Sequence, residues 1–272
     1  MKYQDAQTVT KLTIIVPYNG KSESLEDTLV SLLENRPSES EILVILNNAY
    51  ENIYELREDE VRFIHNFHSN KNFETAVETA VQSVNSDILH IVPCGSRVRP
   101  GWTDAAIQIF DDPNITCVIP VLYETEEKNS LLLAQGFCFS YTGDLVPGNN
   151  NTLFSKQKEP DFCVPHPFGI FLRREAYLNA GGLDHSFGGA LSIIDLVLRT
   201  RKKGGKIVST SASALQIPRE MLYPDGPDKT SQQVKRLFWR WFFAPNPFLG
   251  LLALLTKCFS FSNKKTLLYK KP

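Results

Sequence analysis

Residues 12–46 read LTIIVPYNGKSESLEDTLVSLLENRPSESEILVIL, and this stretch decides the fold class. Residues 12–16 form a β-branched apolar run that ends in a turn, which is typical of a strand. Residues 24–35 place four leucines on one helical face, with Ser24 as the N-cap. Residues 42–46 are wholly apolar, as expected for a strand covered on both faces of a parallel sheet. The order predicts a strand–helix–strand unit.

The same alternation continues along the chain. Strands are predicted at residues 61–64, 88–92 and 117–122, with an apolar helical stripe from Phe73 to Val84 and a helix at 103–110. The pattern loosens over residues 124–165, where 143–151 indicate a loop. Regular elements return as a segment at 168–172, helices at 174–180 and 192–203, and a closing strand at 206–209. This order predicts a doubly wound, mixed but mostly parallel sheet with flanking helices.

Composition narrows the class of protein. With 272 residues, 42% hydrophobic and 22% charged, the chain is expected to fold into a globular protein. The polar N-terminus predicts no signal peptide, and five separated cysteines without a CxxC pair suit a reducing cytosol and small buried thiols. The sequence contains no GxGxxG, GxxxxGK[ST] or GxSxG motif, which argues against a dinucleotide-binding domain, a P-loop and a hydrolase elbow.

Three stretches carry a resemblance to a known family. They are residues 13–20 (TIIVPYNG), residues 99–102 (RPGW) and residues 171–207 (FLRREAYLNAGGLDHSFGGALSIIDLVLRTRKKGGKI). Together they resemble the family 2 glycosyltransferases over residues 11–209. The resemblance implies a GT-A fold, a glycosyltransferase domain at residues 1–228, a nucleotide-sugar donor and an acceptor whose identity the sequence does not give.

The resemblance also implies where a donor would bind. The family carries an aspartate-led motif after the second strand, whereas this chain has Asn47, Asn48, Ala49 and Tyr50. An amide can still hydrogen-bond a nucleobase and a tyrosine ring can stack on one, although an ordinary polar turn is the alternative. The full set of implied donor-binding residues is Pro17, Tyr18, Asn19, Asn47, Asn48, Tyr50, Asn70, Arg97 and Arg99.

The family's metal-binding Asp-x-Asp motif is replaced here. Its positions hold Pro93, Cys94 and Gly95, and neither proline nor glycine has a side-chain oxygen for a hard cation. We therefore expect no divalent metal and no cofactor. Arg97 and Arg99 follow closely, and guanidinium groups can neutralise phosphate oxygens in place of a metal. The alternative is that both arginines are solvated surface residues.

The position of the family's general base is also altered, because it holds Ile193. Asp195 and Asp184 are the candidate replacements for that base. Asp195, however, lies two residues along a helix from Ile193 and should point elsewhere, which favours an ion pair with Arg199 four residues later.

The C-terminal segment, residues 229–272, differs from the rest of the chain. It carries nine basic and no acidic residues, and it is rich in aromatic side chains. Its longest apolar run, residues 248–255, is too short to span a bilayer, so the composition predicts an amphipathic segment that lies on an anionic membrane. Packing against the protein body or a second subunit is the alternative. The chain is expected to be cytoplasmic or peripheral at the inner membrane face, to form homo-oligomers if the segment self-associates, and not to bind nucleic acid.

Two functions remain open from the sequence. The first is a glycosyltransferase that works without the usual metal site. The second is a catalytically inactive binding or scaffolding protein that keeps the fold. With both motifs replaced, we expect at most a trace of sugar transfer or donor hydrolysis.

Overall fold

The computed structural model describes residues 11–18, 20–124, 132–133, 136–139, 145–147, 163–218, 221 and 230–243. The elements of the first half are β1 (Leu12–Tyr18), α1 (Ser22–Glu34), β2 (Ser40–Leu46), β3 (Arg62–His65), α2 (Phe73–Gln82), β4 (Ile88–Ile91), α3 (Asp104–Ile109) and β5 (Ile115–Glu124). Those of the second half are β6 (Leu132–Leu133), β7 (Gly136–Phe139), β8 (Leu145–Pro147), β9 (Cys163–Pro165), β10 (Phe171–Arg173), α4 (Arg174–Asn179), α5 (Gly189–Lys202), β11 (Lys206–Ile217), α6 (Thr230–Phe238) and a π-helical turn (Trp239–Phe243).

One large sheet organises the molecule. Its strand order is β11-β5-β10-β4-β1-β2-β3, with β6 paired to β5. The pairs β1–β2, β1–β4, β2–β3 and β11–β5 are parallel, whereas β10 runs antiparallel to both of its neighbours. The predicted mixed, mostly parallel sheet with flanking helices is therefore confirmed. A small antiparallel sheet, β8-β7-β9, forms within the stretch where the sequence pattern loosens.

Apolar layers cover both faces of the large sheet. On one face, Leu25 and Leu32 of α1 and Ala106 of α3 pack on β1, β2 and β4. On the other face, residues of α2, α4 and α5 pack on the same strands. Because both faces are buried, the central strands are mostly apolar rather than alternating, as the sequence indicated.

A third apolar cluster joins α6 to the protein body. Val234, Leu237 and Phe238 of α6, with Phe242, pack on Phe187 and on residues of α5, β7 and β9. For residues 230–243 the arrangement therefore follows the alternative in which the C-terminal segment packs on the body, and residues 244–272 lie outside the described residues. No helix in the described part of the chain is both long and apolar enough to cross a membrane.

Several predicted details were wrong. α1 begins at Ser22, and its N-cap position is Lys21, which makes no side-chain capping bond, so Ser24 is not the N-cap. Residues 145–147 form β8 inside the predicted loop. β11 extends to Ile217, well beyond residue 209, because its second half pairs with β5 after a register shift.

The cysteines differ partly from the expectation of small buried thiols. Cys94 and Cys117 are free and buried. Cys138 is disulfide-bonded, and it lies opposite Cys163 in the β7–β9 ladder. Spacing along the sequence gave no sign of this proximity, because it arises from pairing between strands that are distant in the chain.

Candidate functional site

Because β1, β2, β3 and β4 are mutually parallel, their carboxyl ends lie side by side. This row of strand ends is called the carboxyl edge of the sheet. Ligands of doubly wound sheets bind at this edge. The segments that follow these four strands contain most of the predicted donor-binding residues, so the fold brings them to a common edge as expected. Asn19 lies outside the described residues.

The amide of Asn47 is engaged inside the protein. Its Nδ2 donates to the carbonyl oxygen of Asn72 at 3.2 Å, and its Oδ1 accepts from Nδ2 of Asn66 at 2.8 Å. Asn66 also bonds Thr75 Oγ1 at 2.8 Å, and Asn72 caps α2. This network ties the ends of β2 and β3 to the start of α2. Asn47 therefore has a structural role in addition to any contact with a ligand.

Aromatic side chains fill the space beside Asn47. Tyr50 stacks on Phe63 with ring centroids 5.5 Å apart and meets Tyr18 edge-on at 5.5 Å. Burial, and secondarily the charge of Glu26, raise the pKa of Tyr50. Its hydroxyl is buried without a hydrogen-bond partner among the described residues. The Tyr50 ring, which was expected to stack on a nucleobase, is thus already stacked on Phe63.

The other predicted donor-binding residues near the first three strands differ in burial and in the groups that they leave free. Tyr18 is buried, and its hydroxyl bonds Ser22 Oγ at 3.0 Å. Pro17 offers its carbonyl to Cys94, and the carbonyl of Asn70 accepts from Thr75 Oγ1 at 2.8 Å. Asn48 is exposed beside Gly20, where an added Cβ would lie 3.4 Å from the Asn48 side chain.

The turn after β4 is held rigidly against α1 and β11. Gly95 has φ +87°, and its N–H donates to Ser24 O at 2.9 Å and to Thr28 Oγ1 at 2.7 Å. A Cβ at Gly95 would come within 2.6 Å of Pro218 Cγ. The position that carries a carboxylate in the family pattern therefore admits only glycine here.

This turn does not fit a hard divalent cation. Burial raises the pKa of the Cys94 thiol to about 12, and its Sγ donates to Pro17 O. Neither Pro93 nor Gly95 supplies a side-chain oxygen, which leaves the buried Ser96 hydroxyl. No group of three or more His, Cys, Asp and Glu side chains suited to a metal occurs in the described ranges. The residues present thus disagree with the metal site that the fold family implies.

Two arginines line a cavity of about 220 Å³ next to the turn. The other lining residues are Tyr123, Ala214, Leu215 and Gln216, at the ends of β5 and β11. Arg97 is fixed by backbone hydrogen bonds to Gln216 in both directions and pairs with Asp27 at 3.1 Å. Arg99 is exposed, and its guanidinium has no ion-pair partner among the residues described. The cavity therefore presents positive charge at the sheet edge.

Ile193 and the two candidate replacement carboxylates occupy structural positions. Ile193 is fully buried in the core under α2. Asp195 is also fully buried, where its Oδ2 accepts from Arg199 Nε at 2.7 Å, as the i, i+4 spacing predicted, and its Oδ1 accepts from Trp241 Nε1 at 2.8 Å. With both oxygens engaged, Asp195 has the geometry of a structural residue.

Asp184 belongs to the same cluster. Its Oδ1 accepts from the backbone N–H of Ser186 at 3.0 Å, and its Oδ2 accepts from Arg240 at 2.7 Å. Hydrogen bonding from Ser186, and then from Arg240, lowers the pKa of Asp184 to about 2. The sequence did not predict that Arg240 and Trp241, from the C-terminal segment, would bind these two aspartates. A lowered pKa makes Asp184 a weak proton acceptor.

A further carboxylate, Glu74, was missed by the sequence reasoning. It is 2% exposed in the first turn of α2, and its Oε1 is buried without a hydrogen-bond partner in the described part of the chain. A signal was available, because Glu74 precedes Val77 and Val81 by three and seven residues and therefore lies on the apolar face of the helix. An acidic residue on such a face calls for a physical explanation.

Comparisons with known proteins agree with this architecture. A family model described as Glycosyl transferase family 2 matches residues 13–179. The fold is similar to the crystal structure of GalNAc-T7 with UDP, GalNAc and Mn²⁺, with a TM-score of 0.64 and 15% identity over 89% of this chain and 51% of that chain. It is also similar to S. aureus TarS 1-349, with a TM-score of 0.56 and 11% identity over 94% of this chain and 76% of that chain. The chain spans about half the length of the GalNAc-T7 structure, and no curated protein sequence matches it.

Proposed function

Because the chain belongs to glycosyltransferase family 2, we propose that it binds a nucleotide-sugar donor at the carboxyl edge of its sheet and transfers the sugar to an acceptor without a divalent metal. The observation that supports this proposal is the cavity lined by Arg97 and Arg99 beside the turn at residues 93–96. The donor binds with its diphosphate in this cavity. The nucleoside lies beside the carboxyl ends of β1 and β2, near the exposed Asn48.

The physical basis is the charge of the leaving group. Breaking the bond between the sugar and the diphosphate leaves negative charge on phosphate oxygens, which must be neutralised. Guanidinium groups form charge-assisted and bidentate hydrogen bonds to such oxygens. Arg99 has no competing ion pair among the described residues, and the backbone bonds of Arg97 hold its position before the ligand arrives. The two arginines thus take the role that a metal has in other enzymes.

The test is nucleotide release from a panel of UDP-, GDP- and dTDP-sugars, with and without EDTA. We expect slow release that EDTA does not change and that Arg97→Ala with Arg99→Ala abolishes. Lys206→Ala is the matched control, because Lys206 is an exposed cation at the start of β11, the opposite end of that strand. Robust release that EDTA abolishes would refute the metal-free route.

A second candidate function is that of an inactive binding or scaffolding protein. It is favoured by the buried Ile193 at the base position and by the Tyr50 ring, which is stacked on Phe63. Calorimetry separates the two candidates. Nucleotide binding without turnover for any donor would support the scaffold, whereas turnover would exclude it.

We also propose that the C-terminal segment attaches the protein to an anionic membrane surface. One face of α6 is buried in the third apolar cluster, while Lys235, Arg236 and Trp239 lie on the exposed face, with Trp239 53% exposed. Basic side chains beside an exposed tryptophan are typical of segments that lie in the membrane interface. Association of two copies through the same face is the competing interpretation.

A further inference from the structure

The packing around Glu74 does not account for the burial of its carboxylate. The side chain is 2% exposed, and Oε1 has no hydrogen-bond partner among the described residues. Burying a carboxylate oxygen without a partner is costly, and such groups in native proteins call for a functional or structural explanation. Other carboxylates in the same half of the molecule, Asp184, Asp195 and Glu78, all accept hydrogen bonds.

The surroundings of Glu74 place it at the functional edge of the sheet. Phe73, its neighbour in α2, contacts Phe168 edge-on at 6.5 Å. The next residue, Gly169, donates to the carbonyl of Ile91 at the end of β4. Glu74 itself lies in the first turn of α2, which follows β3 at the same end of the sheet, and its neighbour Phe73 makes the contact towards β4.

The free oxygen lies beside Gly188, which has no side chain. Gly188 and Gly189 both have positive φ and begin α5, the helix that carries Ile193 at its second turn. A Cβ at Gly188 would lie 4.0 Å from Glu74 Oε1 and 3.6 Å from Nε2 of Gln233 on α6. Oε1 of Glu74 therefore lies near the start of α5, the helix on which the family pattern places the base, and the side chain of Gln233 from α6 lies near the same point.

A purely structural role is the competing explanation. The first turn of a helix favours negative charge, and α5 has no side-chain cap at Gly188. However, in the described part of the chain no side chain caps the N-terminus of α5, so the Glu74 carboxylate does not cap that helix. Oε1 therefore keeps an unused capacity to accept a hydrogen bond.

We propose that Glu74 is the general base of sugar transfer in this chain, an inference that rests on the proposed function. The acceptor hydroxyl gives its proton to Oε1 of Glu74 as its oxygen forms a bond to the anomeric carbon. The bond from that carbon to the diphosphate breaks, and its electron pair leaves on the nucleoside diphosphate. The acceptor class is thus a hydroxyl compound, and its entry displaces the side chain of Gln233.

The experiment compares wild type with Glu74→Gln and Glu74→Ala in nucleotide release with donor and acceptor. Glu74→Gln keeps the shape of the side chain and removes its basicity. We expect kcat to fall about 10²–10⁴-fold with donor affinity by calorimetry unchanged. Formate, a small carboxylate, should restore part of the rate to Glu74→Ala. The matched control is Glu78→Gln, one turn along α2, where the carboxylate bonds His185 at 2.9 Å.

The results of this experiment distinguish failure of the inference about Glu74 from failure of the proposed function. Full kcat in Glu74→Gln overturns the inference and leaves the proposed function intact. A loss of rate accompanied by a lower unfolding midpoint and by no formate rescue also overturns it, because that pattern indicates a structural role. Donor binding without turnover in the wild type overturns the proposed activity, and the base with it. This last result differs from the first two because they require an active wild type.

Discussion

His90 makes the stability of this fold sensitive to acid. The residue is fully buried in β4, its ring is stacked on Phe171 at 3.7 Å, and its Nδ1 lies 3.0 Å from the carbonyl of Ile170. Burial lowers the pKa of His90 from 6.5 to about 3. The folded protein therefore keeps the ring neutral at a pH where the unfolded chain protonates it. The resulting stability is complete above pH 6.5 and is lost progressively as the pH falls below it.

The magnitude follows from the two pKa values. Each pH unit below the unfolded pKa costs about 1.4 kcal/mol while the folded ring stays neutral, so the loss near pH 4.5 is about 3 kcal/mol. His90→Asn keeps a donor for Ile170 O but does not titrate, so we expect it to lower stability at neutral pH and to remove this part of the acid dependence.

Urea denaturation at several pH values measures the effect as the difference between wild type and variant. Phe171→Leu is the control, because it loses the stacking partner and keeps His90. We expect it to lower stability at every pH while retaining the wild-type slope. Equal slopes for wild type and His90→Asn below pH 6.5 would refute the reasoning.

Three further predictions concern the edge of the sheet and the C-terminal segment. Gly95→Ala should lower the free energy of unfolding by about 2–4 kcal/mol, because the new methyl group meets Pro218. Gly181→Ala, with φ +85° and open space around it, should lower it by only about 1 kcal/mol. Equal losses for the two variants would mean that Pro218 moves to make room for the methyl group. Trp241→Phe should cost about 1–3 kcal/mol because it removes a donor to the buried Asp195, and an unchanged midpoint would contradict a structural role for this bond. The double variant Lys235→Glu with Arg236→Glu should abolish salt-sensitive co-sedimentation with anionic vesicles while leaving the folded core intact. Binding equal to that of the wild type would exclude α6 as the membrane contact. Salt-insensitive self-association without vesicles would instead favour contact with a second copy of the chain.

The sequence predicted the layout of the sheet because that layout depends on local patterns. Residues 42–46 are apolar throughout and residues 12–16 are apolar except for Thr13, which is the pattern of a strand covered on both faces. The i, i+4 spacing of Asp195 and Arg199 was likewise sufficient to predict their ion pair, which is observed at 2.7 Å. Boundaries were less accurate, since β11 gains its second half from pairing with β5, a contact that no local pattern encodes.

The candidate site was predicted only in part, because its side chains are positioned by contacts between distant segments. Asn47 was correctly placed at the edge, but its bond to Asn66 depends on the pairing of β2 with β3. The partners of Asp184 and Asp195 come from the C-terminal segment, which packs on the body through apolar residues that composition alone could also assign to a membrane. Glu74 lies outside the family motifs, and its lack of a partner among the described residues depends on contacts between α2, α5 and α6 that no local pattern encodes.

The two positions that the resemblance assigns to the family's metal and base motifs are both fixed by their packing. Gly95 is locked against Pro218 and Ile193 is sealed in the core, so neither position can regain a carboxylate without rebuilding its surroundings. Positive charge lines the cavity at Arg97 and Arg99, and Oε1 of Glu74 is buried without a hydrogen-bond partner among the described residues, which costs free energy. A cationic site for a leaving diphosphate and a basic site for an acceptor proton are the two groups that the proposed sugar transfer requires. Turnover that depends on both the arginine pair and Glu74 would therefore favour an altered enzyme over an inert scaffold.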